Sequence, residues 1–166
     1  EPELYMAHKV ARQVLETRQD VMFVFLLKPE GYREEYAGLA REGIRLLSTS
    51  QDEFRDYVQV ADLLLAPVAN LASIVTPPLT WLEFMARGIP IVTNRAPGVD
   101  AVIEDGVSGF VAADHAALGQ TLLGALRSDL PAVGLAAQRH VREKYNAAGA
   151  AQAYLNLWQA LANAPG

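Results

Sequence analysis

The chain is organised around one stretch, residues 77–93, which reads PPLTWLEFMARGIPIVT. It predicts a loop, a helix and a buried strand in succession. Two prolines open it, and proline is tolerated in the first helical turn because the N–H group that it lacks would be unpaired there. Gly88 suits the left-handed backbone that ends many helices, and Pro90 prevents the helix from continuing into the strand that starts at Ile91. One buried helical face is predicted from the apolar spacing of Leu79, Leu82, Met85 and Ala86.

The start of this helix is a candidate anion site. Helix N-termini carry unpaired N–H groups and a partial positive charge, so the amides of Leu79 and Thr80 could hold a phosphate group. Glu83 lies about one turn further along, where a carboxylate suits sugar hydroxyls rather than the phosphate itself. An ordinary turn between a strand and a helix explains the same residues, and an exposed glutamate is favourable in the first turn of any helix. The residues alone leave both interpretations open.

Composition restricts the class of protein. The chain has 166 residues, which is one domain by length, and about half of them are hydrophobic. Its formal net charge of −5 argues against a nucleic-acid partner, whose footprint is a basic surface, but does not exclude a nucleotide ligand. The chain contains no cysteine, so disulfides and thiolate metal sites are excluded. The longest apolar run, Val21–Leu27, is too short to span a bilayer, and no signal peptide is visible.

Short apolar runs alternate with amphipathic segments along the whole chain, which is typical of a parallel, doubly wound α/β sheet with helices on both faces. Because the run Val21–Leu27 is apolar throughout, it predicts a strand that is covered on both faces. Further strands are predicted at Ile44–Leu47, Leu63–Ala66, from Ile91 onward and at Phe110–Ala112. Other helices are predicted at Glu3–Arg18, Tyr32–Arg41, Phe54–Val60, from Leu118 onward, from Pro131 to about Tyr145, and at Ala150–Ala162.

Two motifs resemble those of a known enzyme family. Residues 82–92, LEFMARGIPIV, resemble the LEAMA-x-G-x-P-V-V signature of the group 1 retaining glycosyltransferases of the GT-B fold, and residues 100–111, DAVIEDGVSGFV, are similar to the E-V-I-x-D-G-x-x-G-x-L-V stretch that follows it in that family. The resemblance covers roughly Val21 to Trp158. It implies that residues 1–166 are one Rossmann-like domain, the C-terminal half of a GT-B enzyme, which binds a nucleoside diphosphate sugar.

The resemblance also implies parts that this sequence lacks. The GT-B C-terminal half has six strands in the order 3-2-1-4-5-6, and Val21–Leu27 matches the second of them. The first strand, which would lie between Val21–Leu27 and Leu63–Ala66, is then missing, and so is an N-terminal domain that binds the acceptor. In the family the last helix crosses back onto that N-terminal domain. We therefore expect a piece of a longer protein, which alone binds a nucleotide weakly and transfers no sugar.

Site residues follow from the resemblance, position by position. Pro78, Leu79 and Thr80 would hold the diphosphate, and Glu83 matches the second motif glutamate, which bonds the ribose hydroxyls. The first motif glutamate is replaced here by Val75, which leaves the catalytic residue unassigned. The turn Leu47-Ser48-Thr49 would read the nucleobase edge, although a plain turn after a strand is an equal alternative. Lys28, after another predicted strand, either serves phosphate or is simply a solvated side chain.

Two other functions are compatible with the sequence. A GT-B nucleotide-sugar epimerase would need acid–base groups in the cleft, and no acidic residue occurs from Pro67 to Leu82. A non-catalytic binding module that has lost the first glutamate is the other alternative. Asp114-His115 is interpreted as a helix cap rather than a general base. No metal and no cofactor are expected. The expected location is cytoplasmic, with peripheral attachment to a membrane left open.

Overall fold

A computed structural model describes residues 3–28, 34–69 and 78–163. Within these ranges the strands are β1 (Phe23–Leu27), β2 (Ile44–Ser48), β3 (Leu64–Leu65), β4 (Ile91–Asn94) and β5 (Phe110–Ala112). The helices are α1 (Glu3–Leu15), α2 (Gln51–Gln59), α3 (Leu79–Ala86), α4 (Val99–Val102), α5 (Leu118–Ala125), α6 (Leu130–Lys144) and α7 (Ala147–Ala162). The helix predicted at Tyr32–Arg41 is, in its described part, a short 3-10 helix at Glu34–Leu39. Gly38 in its interior disfavours a continuous α-helix.

The described strands are all parallel and form two sheets. One consists of β1 and β2, and the other has the order β3-β4-β5. Helices cover the second sheet on both faces, because successive side chains of a strand point to opposite sides. Ile91 packs with residues of α3, α4 and α6, whereas its neighbour Val92 packs with residues of α1 and α5. The predicted doubly wound α/β architecture is therefore confirmed.

β1 is less covered than its apolar sequence predicts. Val24 is 40% exposed, and Met22 just before the strand is also exposed. The prediction of a strand buried on both faces is wrong for this reason: Phe23 packs against the core of α1 and α5, while the face that carries Val24 and Leu26 borders an open cleft. Among the described strands, none is paired with β1 on the side away from β2.

α3 ends as the sequence predicts but buries a different face. Gly88 has a positive φ of 79°, as expected for the residue that terminates a helix. The buried side chains are Trp81, Phe84 and Met85, whereas Leu79 is 77% exposed. Leu79 belongs to the first turn, which projects at the edge of the sheet beyond the core, so its place in the predicted buried face is wrong.

The last helix, α7, does not pack into the core. None of its residues is buried, and its large apolar side chains are exposed to solvent, with Trp158 61% exposed. Its exposed large side chains are Tyr154, Leu155, Leu157, Trp158 and Leu161. Among the helices of the described ranges, none combines the length and the hydropathy that crossing a bilayer requires.

Candidate functional site

A cleft of about 600 Å³ lies where the carboxyl ends of β1 and β2 face α3. In a doubly wound sheet this is the edge at which ligands bind. Four residues singled out from the sequence line it: Lys28 and Thr49 on one wall, and Thr80 and Glu83 on the other. The structure thus brings together segments that are widely separated in the chain. Apolar side chains of Leu26, Phe54 and Val58 form part of the same surface.

The first turn of α3 borders this cleft through Thr80, whereas Pro78 and Leu79 are not among the residues that line it, and the helix has no side-chain cap. Pro78 is the N-cap residue, and its carbonyl oxygen accepts a hydrogen bond of 2.9 Å from the Trp81 N–H group. The backbone amides of Leu79 and Thr80 therefore precede the first internal hydrogen bond of the helix, and no side chain of the N-cap residue accepts from them. Thr80 and Glu83 are both exposed on the cleft side. The arrangement can bind an anion at the helix end and hydroxyl groups one turn further along.

α3 is held in place by packing and by a hydrogen bond of 2.9 Å from Gln138 Nε2 to the Ala86 carbonyl oxygen. Trp81 and Met85 belong to the core shared with α4 and α6, and Phe84 meets Phe54 of α2 edge-on, with ring centroids 6.3 Å apart. Aromatic pairs of this geometry add to the energy of simple burial. The helix N-terminus is therefore fixed relative to α2, which forms the opposite side of the cleft.

The opposite wall differs from the predicted turn. Leu47 and Ser48 belong to β2 rather than to a loop, because the ladder with β1 continues to the pair Leu27 and Ser48. Only Thr49 lies beyond the strand; it is buried, and its N–H group donates to the Leu27 carbonyl oxygen at 2.9 Å. Thr49 and Ser50 line the cleft, whereas Leu47 and Ser48 do not.

A capping box fixes the residue that follows. Ser50 is the N-cap of α2: its backbone N–H and its hydroxyl group both donate to the Glu53 carboxylate at 2.8 Å, and the Glu53 N–H donates to the Ser50 hydroxyl at 3.4 Å. The hydrogen bonds from the Ser50 backbone and side chain hold the pKa of Glu53 below its usual value. The turn after β2 is therefore ordered before any ligand arrives.

Sequence reasoning missed the residues that fix the exit of β3. The side chain of Asn94 is buried: its Oδ1 accepts from the Val68 N–H at 2.8 Å, and its Nδ2 donates to the Val68 carbonyl oxygen at 3.2 Å. His115 Nε2 also contacts that oxygen at 2.6 Å, which requires the proton on Nε2. The Thr93 hydroxyl donates to the Ala66 carbonyl oxygen at 2.7 Å. Thr93 and Asn94 are two polar residues at the end of the otherwise apolar strand β4, and this pattern is the signal in the sequence that could have identified them.

The prediction of a helix cap at Asp114 is wrong, because the N-cap residue of α5 is Ala117 and no side chain caps that helix. The Asp114 carboxylate accepts a hydrogen bond of 2.9 Å from the Ala117 N–H group, so it closes the turn that precedes α5. Val75, which replaces the first motif glutamate, lies outside the described residues. Within the described ranges, no three His, Cys, Asp or Glu side chains come together in a group that could hold a metal ion.

The cleft is basic although the chain is acidic overall. Its charged lining residues are Lys28, Arg55 and Arg87 on the positive side and Glu83 on the negative side. Arg55 lies 3.4 Å from the Asp52 carboxylate on the same helix. Arg87 donates to the Glu83 carbonyl oxygen at 3.0 Å. Such a lining favours an anionic ligand.

Comparison with known proteins assigns the family. A family model described as "Glycosyl transferases group 1" matches residues 4–128. The chain belongs to the group 1 glycosyl transferases. Among curated proteins, it is 33% identical over 102 residues to the amylovoran biosynthesis glycosyltransferase AmsK of Erwinia amylovora, a match that covers 58% of this chain. The chain spans only about a quarter of the length of that relative, since the match covers 25% of it.

Solved structures share the fold at low sequence identity. A mutant of S. aureus TarM, in a complex that contains UDP, superimposes with a TM-score of 0.76 at 17% identity, over 95% of this chain and 33% of TarM. Anabaena HepE in complex with UDP-glucose gives 0.68 at 16%, over 92% of this chain and 44% of HepE. The C-terminal domain of the group 1 protein LpcC from Francisella tularensis gives 0.65 at 15%, over 87% of this chain and 80% of that domain. These likenesses support the GT-B fold.

Proposed function

We propose that this chain is the C-terminal, donor-binding domain of a retaining glycosyltransferase and that the cleft holds a nucleoside diphosphate sugar. One observation carries the proposal: Thr80 and Glu83 of α3 face Thr49 across a single basic cleft at the carboxyl edge of the sheet. The likeness to HepE in complex with UDP-glucose and to an isolated C-terminal domain from F. tularensis supports it.

The residues of α3 suit the two ends of such a donor. The amides of Leu79 and Thr80, with the Thr80 hydroxyl, donate to the diphosphate, and the Glu83 carboxylate accepts from the ribose hydroxyls. In the transfer, the bond between the anomeric carbon and the diphosphate oxygen breaks, the acceptor oxygen bonds to the same face of that carbon, and its proton passes to an oxygen of the departing diphosphate. Negative charge builds on the departing diphosphate, and N–H groups that are already oriented toward it stabilise that charge.

Two features of the fold support the proposal that more protein completes this domain. The bonds from Phe23 N to the Gly43 carbonyl and from Thr49 N to the Leu27 carbonyl direct the odd-numbered residues of β1 toward β2. The backbone groups of Val24 and Leu26 therefore point the other way, where we propose that a further parallel strand lies between β1 and β3. If the amides of Val24 and Leu26 exchange rapidly with solvent in the full-length protein, no strand pairs there.

The exposed face of α7 is the second feature. A charge-free helix with an exposed tyrosine and tryptophan is unusual on a free surface. We propose that the acceptor-binding N-terminal domain of the same enzyme covers it. The domain by itself then binds the nucleotide and transfers no sugar, because the acceptor site is on the other side of the cleft. Turnover by the isolated domain would refute this division of roles.

A non-catalytic binding module is the second candidate, and the observation that favours it is Val75 at the position of the first motif glutamate. The full-length enzyme with Val75→Glu separates the two: sugar transfer that appears only in the variant would identify a lapsed enzyme. Transfer by the unmodified enzyme would exclude the binding module.

The donor site is tested by titrating the protein with UDP, GDP and ADP in a calorimeter. We expect one nucleotide to bind, and Glu83→Ala to weaken it about tenfold or more, because a charged hydrogen-bond partner contributes roughly 1.5–3 kcal/mol. Glu143→Ala on α6 is the matched control: Glu143 is also an exposed helical glutamate but lies outside the cleft. Equal affinity of the two variants, or no binding of any nucleotide to the folded protein, would contradict the proposal.

A further inference from the structure

We propose that Lys28 binds the diphosphate of the nucleotide from the wall opposite α3. The inference rests on the proposed function and adds a phosphate-binding residue to the donor site. Lys28 directly follows the last residue of β1, and its exposed side chain lines the same cleft as Thr80 and Glu83.

The position of Lys28 at the end of a strand places it near the proposed phosphate. In a parallel α/β sheet, the carboxyl ends of the strands and the N-termini of the helices that follow them share one edge. Lys28 at the end of β1 and the first turn of α3 therefore lie at the same edge, on facing walls of the cleft. A diphosphate held by the amides of Leu79 and Thr80 would thus have an ammonium group on its other side.

The other two cations of the cleft lie further from that edge. Arg87 is the C-cap residue of α3, seven residues beyond Thr80, or about 10 Å along the helix at 1.5 Å per residue. Its guanidinium donates to the Glu83 carbonyl oxygen. Arg55 is in the second turn of α2 and lies against Asp52. Their positions suit general attraction of an anion into the cleft rather than contact with the phosphates.

Charge balance supports the same residue. Glu83 sits one turn from the proposed phosphate position, and its carboxylate raises the electrostatic cost of bringing in a diphosphate. A lysine on the facing wall offsets that cost and, with three rotatable N–H donors, can follow the phosphate oxygens as charge builds on them. Because the side chain is exposed, salt should screen part of its contribution.

The test compares Lys28→Met with Lys9→Met, an exposed lysine of α1 that lies outside the cleft. Of UDP, GDP and ADP, the nucleotide that binds the unmodified protein most tightly is used together with its monophosphate and its nucleoside. We expect Lys28→Met to weaken the diphosphate about tenfold, the monophosphate less and the nucleoside not at all, with a difference that shrinks at high salt. Lys9→Met should leave all three affinities unchanged.

Two results would overturn the inference: unchanged affinity of Lys28→Met for the diphosphate, or an equal loss for the nucleoside and the diphosphate. The second would indicate that the substitution disturbs the cleft rather than a phosphate contact. The role of Lys28 and the proposed function can fail separately in this test. If no nucleotide binds the unmodified protein, the proposed function fails and the inference fails with it, whereas binding that is indifferent to Lys28 refutes the inference alone.

Discussion

Substitution of Gly134 by alanine should destabilise the protein, although alanine is the better helix former. Gly134 lies in α6, where the helix touches the turn that ends α3. A Cβ atom at this position would lie 1.9 Å from the Gly88 carbonyl oxygen and 2.8 Å from its carbon. Non-bonded heavy atoms prefer about 3.5 Å or more, so the two backbones would have to separate by roughly 1.5 Å.

The expected magnitude combines two opposing effects. Overpacking of a well-packed interior costs about 1–3 kcal/mol, and the upper end applies because both atoms that must move belong to the backbone. The better helix propensity of alanine returns about 1 kcal/mol. The free energy of unfolding should therefore fall by about 2 kcal/mol, and the Tm by roughly 4–8 °C for a chain of this size. Urea denaturation gives the first quantity and thermal unfolding the second.

Gly124→Ala in α5 is the matched control, since no heavy atom lies within 4 Å of the position of its Cβ. That substitution should leave stability unchanged or raise it by up to about 1 kcal/mol. Both variants replace a helical glycine by alanine, so the difference between them isolates the close approach of α6 to α3. If Gly134→Ala were as stable as the unmodified protein, the packing of these two helices would not be as described.

Asn94→Ala should lower the free energy of unfolding by about 2 kcal/mol, because the buried Val68 N–H group would lose its hydrogen-bond acceptor. A loss below about 0.5 kcal/mol in urea denaturation would show that the Asn94 side chain does not hold the exit of β3 in place. The hydrogen bonds from Arg18 lower the pKa of Asp20 from 3.8 to about 2. A lowered carboxyl pKa stabilises the folded state fully above the unfolded value and ceases to do so as the pH falls, so this contribution should be lost between about pH 4 and pH 2. Asp20→Asn should lack that part of the acid dependence of the Tm, and identical profiles would show that the pair does not form in solution.

Local chemistry accounts for the parts of the fold that sequence reasoning predicted correctly. Gly88 ends α3 because only glycine adopts a positive φ without strain, and the bounds of β5, Phe110–Ala112, agree with the prediction. The placement of Thr80 and Glu83 on one helical face follows from their spacing alone. These features depend on residues within a few positions of one another.

Contacts between distant segments could not be predicted in this way. The Asn94 side chain replaces a strand partner for Val68, which is 26 residues earlier, and nothing in the local pattern identifies that partner. Periodicity predicted that Leu79 lies on the buried face of α3, but its burial depends on where the helix begins relative to the sheet. An apolar run also cannot report whether a neighbouring element covers it, which explains the exposure of Val24.

Amide NMR of the protein during a nucleotide titration tests the claim that the cleft between β1, β2 and α3 binds the nucleotide. We predict that the largest shifts occur at the amides of Leu79 and Thr80, with Thr49 on the facing wall shifting in parallel at the same ligand concentrations. Shifts that concentrate instead at the second cleft, about 650 Å³ at the opposite edge of the sheet near Asp62 and Gln138, would contradict the claim.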